Sequence, residues 1–223
     1  LVHLLEAVEA IPGLERIRLS SIELSTVERE VIEYMAGSRK LCRFLHLPLQ
    51  SGDDNILSAM GRRYTVGDYR AFLAYAESRG GGIGYGTDLL VGFPGEDEKA
   101  FQATETLVRE LPFGKLHVFP FSPRPGTPAA ARTDSVSRGI VRARVARLMA
   151  LGEIKRAEFA RQWLGREVSV LVESLDEQGR GLGWTGEYLE ARLEGPGLTP
   201  NRVVRLVPDR VEGAVLLGPA AKT

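Results

Sequence analysis

Four polar or glycine-rich clusters punctuate the first ~130 residues, and each directly follows an apolar run. They are Ser20-Ser21-Ile22-Glu23, Gln50-Ser51-Gly52-Asp53, Gly92-Phe93-Pro94-Gly95-Glu96 and Ser122-Pro123-Arg124-Pro125-Gly126-Thr127. Between them stand Arg62 and Arg63, and Asp88 inside the run that precedes Gly92. A carboxylate suits a cation, and a guanidinium fork suits a carboxylate. Gly92 and Gly95 follow a strand-like run and precede a helix-like one, so their backbone can approach a ligand closely. Each of these has a plainer alternative. Glu23 and Asp88 read alone as helix-capping or strand-end acids. Gln50 can satisfy a loop backbone, and Arg62 and Arg63 can be a solvated pair, with one of them entering a site. Arg124 suits a phosphate or base contact and equally a turn-stabilising role. His46 and His117 lie within apolar strand-like runs, which reads as hydrogen-bonded core histidines rather than metal ligands. Cys42 has no cysteine partner and reads as structural.

The clusters imply elements to hold them. Short apolar runs at Arg16–Ser20, Phe44–Leu49, Gly84–Val91 and Lys115–Phe121 read as strands. Val27–Met35, Gly67–Ser78 and Asp97–Glu110 carry helical spacing. Strand and helix alternating in this way predict an α/β fold with a parallel sheet and right-handed crossovers. In such folds the site lies at the C-terminal ends of the strands, where all four clusters fall. That pattern points to an enzyme. Val136–Trp163 then reads as one long basic helix. After Gly165 come the short β-rich runs Val168–Glu173, Gly186–Leu193, Val203–Val207 and Ala214–Leu217, which predict a small antiparallel barrel. The expected units are thus residues 1–135, a linking helix over 136–164 and an all-β unit over 165–223. Leu1–Ala10 reads as a helix whose preceding strand is absent, and an open sheet edge near Arg16–Ser20 predicts aggregation unless it is covered.

Composition bounds the class. Of 223 residues, 43% are hydrophobic and 26% charged, the balance of a globular protein with an ordinary core. One cysteine excludes an internal disulfide and fits a reducing, cytoplasmic compartment. No run is long enough to cross a bilayer, and no signal-peptide pattern opens the chain. The net charge is zero, but residues 138–166 hold eight basic and two acidic side chains. That stretch is either a solvated helix face or the electrostatic footing for a nucleic acid. Trp184 and Tyr188 either stack a base or fill the core of the small barrel.

Five motifs in order carry a resemblance: Arg18-Leu-Ser-Ser-Ile-Glu23, His46-Leu-Pro-Leu-Gln-Ser-Gly-Asp53, Met60-Gly-Arg-Arg-Tyr-Thr65, Asp88-Leu-Leu-Val-Gly-Phe-Pro-Gly-Glu96 and Leu116-His-Val-Phe-Pro-Phe-Ser-Pro-Arg-Pro-Gly-Thr-Pro-Ala129. Over essentially its whole length the chain resembles the radical S-adenosylmethionine (SAM) methylthiotransferases. Its tail is similar to TRAM, a small RNA-binding β-barrel. Arg62-Arg-Tyr-Thr65 and Leu116-His-Val-Phe-Pro-Phe-Ser122 most resemble the branch acting on N6-threonylcarbamoyladenosine beside the anticodon of tRNA. Sister branches act on isopentenyladenosine in tRNA or on an aspartate of a ribosomal protein, and a truncated, non-catalytic RNA-binding module is a further alternative.

The resemblance implies a partial (βα) barrel, comprising the last four β/α units, followed by the TRAM-like unit. It implies SAM and 4Fe–4S clusters as cofactors, and tRNA as substrate. Glu23 would face the SAM ammonium and Arg62 its carboxylate; Gln50 and Asp88 would hold the ribose hydroxyls, and Gly92 and Gly95 would shape the adenine pocket. Arg124 and Arg63 would meet the substrate. The implied reaction places sulfur and then a methyl group on carbon 2 of the adenine. One departure is large. The family's cluster cysteines, a Cys-x-x-x-Cys-x-x-Cys loop and three more in an N-terminal domain, have no counterpart here, so this stretch alone is expected to be inactive.

Overall fold

The structure, a computed structural model, describes residues 1–79 and 81–221. The last two residues of the expected 165–223 unit lie outside the described residues. Three strands form a parallel sheet in the order β1 (Phe44–His46), β2 (Gly84–Val91), β3 (Phe113–Pro120). Helices α1 (Val2–Glu9), α2 (Arg29–Gly37), α3 (Asp54–Ala59), α4 (Val66–Ser78) and α5 (Glu98–Glu110) precede or connect them. The connecting helices start at side-chain caps: Asp53 for α3, a Thr65–Asp68 capping box for α4, and Asp97 for α5. Alternation along β2 sorts its residues. Tyr85, Thr87, Leu89 and Val91 are buried against the helices, with Leu45, Tyr69, Phe101 and Phe113 in the same core.

The expected strand at Arg16–Ser20 is not regular. It follows the sheet edge through single bridges, Ile17 to Leu41 and Ser21 to His46. Its arginines explain the departure, because they reach into the second sheet. Arg16 donates to the carbonyls of Trp184 and Ser169 at 2.9 Å, and Arg18 to that of Thr185 at 2.9 Å. β1 also ends sooner than Leu49, since Pro48 has no N–H for the ladder. Side chains hold the rest of that run: Thr87 Oγ1 donates to the Leu47 carbonyl at 2.8 Å and accepts from Leu49 N–H at 2.9 Å. Tyr69 donates to the same Leu47 carbonyl at 2.7 Å.

After a 3₁₀ turn (Pro128–Ala131), α6 runs from Arg138 to Arg161 behind an N-cap at Ser137. The second sheet has six strands in the order β7-β4-β5-β6-β9-β8. These are β4 (Val168–Leu175), β5 (Gly181–Thr185), β6 (Glu190–Glu194), β7 (Arg202–Leu206), β8 (Arg210–Glu212) and β9 (Val215–Pro219). Two expectations need correction. The sheet is mixed rather than antiparallel, because β6 and β9 run parallel. Gly186–Leu193 is not one strand; a turn at residues 186–189, with Tyr188 at φ +67°, separates β5 from β6. Leu206 bridges to Ala220, so the sheet curls back on itself around Val170, Leu193 and Leu216.

The second sheet packs under the N-terminal ends of the parallel strands. Phe44 packs on Tyr188 at 4.7 Å between ring centroids, and Tyr188 stacks on Trp184 at 4.8 Å. A Cβ on Gly84 would strike the Glu187 carbonyl. Trp184 and Tyr188 are therefore half-buried at this junction, under Lys115 and Arg18, rather than presented to a base.

Candidate functional site

The opposite face of the three-stranded sheet gathers ionisable side chains. Parallel register sets Gly86 beside His46 and Asp88 beside His117, so these side chains share the face turned away from the helices. His46 Nε2 lies 2.9 Å, and His117 Nδ1 3.2 Å, from the same atom, Asp88 Oδ1. Burial pushes the His46 imidazole below its ordinary value, and the Asp88 charge partly offsets this.

Gln50 joins this group through the backbone. Its N–H donates to the Asp88 carbonyl at 2.8 Å, and its own carbonyl accepts from Leu90 N–H at 2.9 Å. It holds this place at φ +70°, in the left-handed region where a residue with a side chain is strained. Gly52 follows because nothing larger fits. A Cβ there would lie 2.5 Å from Thr104 Cα, and Thr104 Oγ1 accepts from the Gly52 N–H at 2.8 Å.

Glu23 occupies the turn after the edge segment. Ile22 N–H donates to the His46 carbonyl at 3.0 Å, which brings Glu23 beside the end of β1. Its half-exposed carboxylate pairs with Arg62 Nη1 at 3.2 Å. Thus Glu23 and Arg62 meet directly, and Gln50 and Asp88 meet directly. Arg63 and Arg124 do not meet. Arg63 lines a cavity of about 340 Å³ beside α4, with Tyr64, Asp68 and Phe72. Arg124 lines another of about 480 Å³ at the end of β3, with Leu90, Phe119 and Phe121.

Gly92 and Gly95 both adopt positive φ, +80° and +88°. Space beside Gly92 is filled by Val141 of α6, where a Cβ would collide, and space beside Gly95 by Arg132 and Asp134. Glu96 braces the loop: its Oε2 accepts from Gly92 N–H at 3.1 Å, while Oε1 pairs with Arg144 of α6 at 2.7 Å. Both partners of that pair are buried, and burial pushes the Glu96 carboxyl above its ordinary value against the pull of Gly92 and Arg144. Nothing in the sequence near Glu96 identified this pair. Gly92 also lines a cavity of about 690 Å³ at the N-terminus of α6, with Arg132, Arg138 and Arg142.

The donor set fits SAM: a carboxylate and a guanidinium for the amino-acid end, and an amide and a second carboxylate for hydroxyls. It does not fit an iron–sulfur cluster. Cys42 is the one cysteine; it is buried, and burial pushes its thiol pKa upward, away from the thiolate a cluster iron needs. No helix among the described residues is long and apolar enough to cross a membrane.

Residues 1–108 match the model of the radical SAM superfamily. The threonylcarbamoyladenosine tRNA methylthiotransferase MtaB of Bacillus subtilis (strain 168) is 35% identical over 200 residues, 88% of this chain and 44% of that protein. Its Thermotoga maritima counterpart is 33% identical over 215 residues, 96% of this chain and 50% of that protein. The tRNA-2-methylthio-N(6)-dimethylallyladenosine synthase of Tropheryma whipplei (strain Twist) is 40% identical over 169 residues, 76% of this chain and 36% of that protein. The chain spans about half or less of the length of these relatives. Among solved structures, coproporphyrinogen III oxidase (HemN) from Escherichia coli, a radical SAM enzyme, has a TM-score of 0.52 at 14% identity, covering 78% of this chain and 46% of that one; the likeness is one of fold.

Proposed function

We propose that the chain, whose residues 1–108 match the model of the radical SAM superfamily, is part of a tRNA methylthiotransferase that places a methylthio group on C2 of N6-threonylcarbamoyladenosine beside the anticodon. The carrying observation is the donor set around Asp88, joined to Gln50 through the backbone and neighboured by the Glu23–Arg62 pair. When bound and reductively cleaved, SAM supplies the adenosyl radical for such chemistry.

The chain's own part is to bind and orient. Glu23 accepts from the SAM ammonium and Arg62 donates to its carboxylate, which requires their present pair to open. Gln50 and Asp88 accept from the ribose hydroxyls. Gly92 and Gly95 bound the adenine side through a loop that Glu96 and Arg144 keep in one shape. Arg124 contacts a phosphate or base of the substrate at the end of β3, and Arg63, in its own cavity, meets an outer phosphate. Units over 1–135, 136–164 and 165–223 divide the labour into cofactor binding, linkage and RNA contact, in a cytoplasmic protein.

A second reading is favoured by the relative from Tropheryma whipplei, whose name gives dimethylallyladenosine as the modified base. Nucleoside mass spectrometry of tRNA from cells with and without the complete gene separates the two. Loss of 2-methylthio-threonylcarbamoyladenosine is the expected result. Its persistence with loss of the methylthio-dimethylallyl nucleoside moves the substrate to the second reading; persistence of both overturns the proposal.

A further inference from the structure

Asp88 is held asymmetrically. Its Oδ1 receives both His46 Nε2 and His117 Nδ1, whereas its Oδ2 has no protein partner among the described residues. An ionised carboxylate only accepts, so each ring must present an N–H to it. This assigns the Nε2–H form to His46 and the Nδ1–H form to His117. The geometry is built in from below. His46 is 9% exposed at its side chain, and its ring lies over Gly86, where a Cβ would come within 2.8 Å of Nδ1. The two imidazoles are 5.2 Å apart and inclined by 31°.

We infer that His46 and His117 are positioning residues: by filling Oδ1 from two sides they fix the Asp88 carboxylate with Oδ2 free to accept from the vicinal hydroxyls of the SAM ribose. This rests on the cofactor reading above. A carboxylate on a strand otherwise swings about its last torsion, whereas one anchored by two donors presents its second oxygen in one direction. The charged groups around the pair are Asp88 of β2 and Lys115 of β3. Burial favours the neutral His46 ring, whose single N–H then belongs to Asp88. The same three side chains also have the types of a two-histidine, one-carboxylate cation site. However, both rings now spend their facing nitrogens on one shared oxygen, the arrangement of donors rather than of lone pairs converging on an ion.

The test is calorimetric titration of the purified protein with S-adenosylhomocysteine, together with nitrogen NMR of the histidine rings. His46→Phe and His117→Phe are each expected to weaken binding about five- to tenfold, within the range of one lost hydrogen bond of ordinary strength. His46→Gln and His117→Asn, which return an amide N–H near the lost position, recover most of it. In an Asp88→Ala background the histidine substitutions add nothing. The NMR shows hydrogen on Nε2 of His46 and on Nδ1 of His117. His117 is half-exposed, so its variants carry the test should His46→Phe fail to fold. If Asp88→Ala leaves affinity unchanged, the cofactor reading falls and the inference with it. If Asp88→Ala weakens binding while both phenylalanine variants bind like the parent, only the inference is overturned. Micromolar zinc binding that is abolished by any one of the three substitutions and competes with the nucleoside would replace it with a metal site.

Discussion

Glu187 shows how a single side chain exposes a design conflict that no motif announces. It is enclosed where the two sheets meet, and its Oε2 has no hydrogen-bond partner among the described residues. Burial raises its carboxyl pKa, and Arg16 and Arg43 only partly offset that. A raised folded-state value means the protonated form is the one the fold prefers. Its stabilising contribution is therefore present below the ordinary carboxylate value, 4.5, and is lost as pH rises through the folded value. Glu187→Gln, neutral throughout, is expected to raise Tm by roughly 3 °C at pH 8 and to leave it unchanged at pH 4. A thermal scan at both values checks this, and equal shifts at the two would refute it. The residues that sequence alone marked were those in short ordered motifs: Glu23, Gln50, Arg62 and Asp88. His46 and His117 were visible only as polar interruptions of apolar strands, because partnership across a parallel ladder depends on register. Register is set by residues far apart in the chain.

At the scale of elements, β2, α4, α5 and α6 were legible nearly to their ends: each of the three helices starts at a capping side chain, and glycines bound the apolar run of β2. The edge segment at Arg16–Ser20 was not. Its apolar alternation is that of a strand, but Arg16 and Arg18 find better partners in the second sheet. The Gly92–Glu96 loop also owes its shape to a distant element, since Arg144 of α6 neutralises Glu96 in a buried position. Arg144→Met removes the cation and leaves a buried carboxylate unpaired, at an expected cost of about 3–5 kcal/mol. Adding Glu96→Gln to Arg144→Met is expected to restore more than half of that loss. Chemical denaturation of the three variants checks the coupling; additive losses would show that the pair does not act as a unit.

Across the whole molecule, the long basic helix is only partly free for a nucleic acid. Of the eight basic residues in 138–166, Arg144, Arg147, Lys155 and Arg156 are engaged in ion pairs, with Glu96, Glu98, Glu105, Glu158 and Glu190. Arg138 and Arg142, exposed at the rim of the cavity beside Gly92, are left on the same end as Gln50 and Arg124. The second sheet, with its stacked Trp184 and Tyr188, instead closes the other end of the parallel strands. Its contribution at that junction is mechanical. Arg18 lies 4.5 Å and Lys115 4.0 Å from the Tyr188 ring centroid, one from the edge segment and one from β3. A ring contacted by cations from two separate elements ties the two cores into one folding unit. Tyr188→Ala removes the shared partner, and its loss, roughly 2 kcal/mol, falls on the junction rather than on either core. The parent protein is expected to melt in one transition. The variant is expected to melt in two, with native-like circular dichroism at 20 °C and S-adenosylhomocysteine affinity unchanged. A single transition merely shifted downward would mean that Phe159, packed against Gly114, couples the cores without the ring.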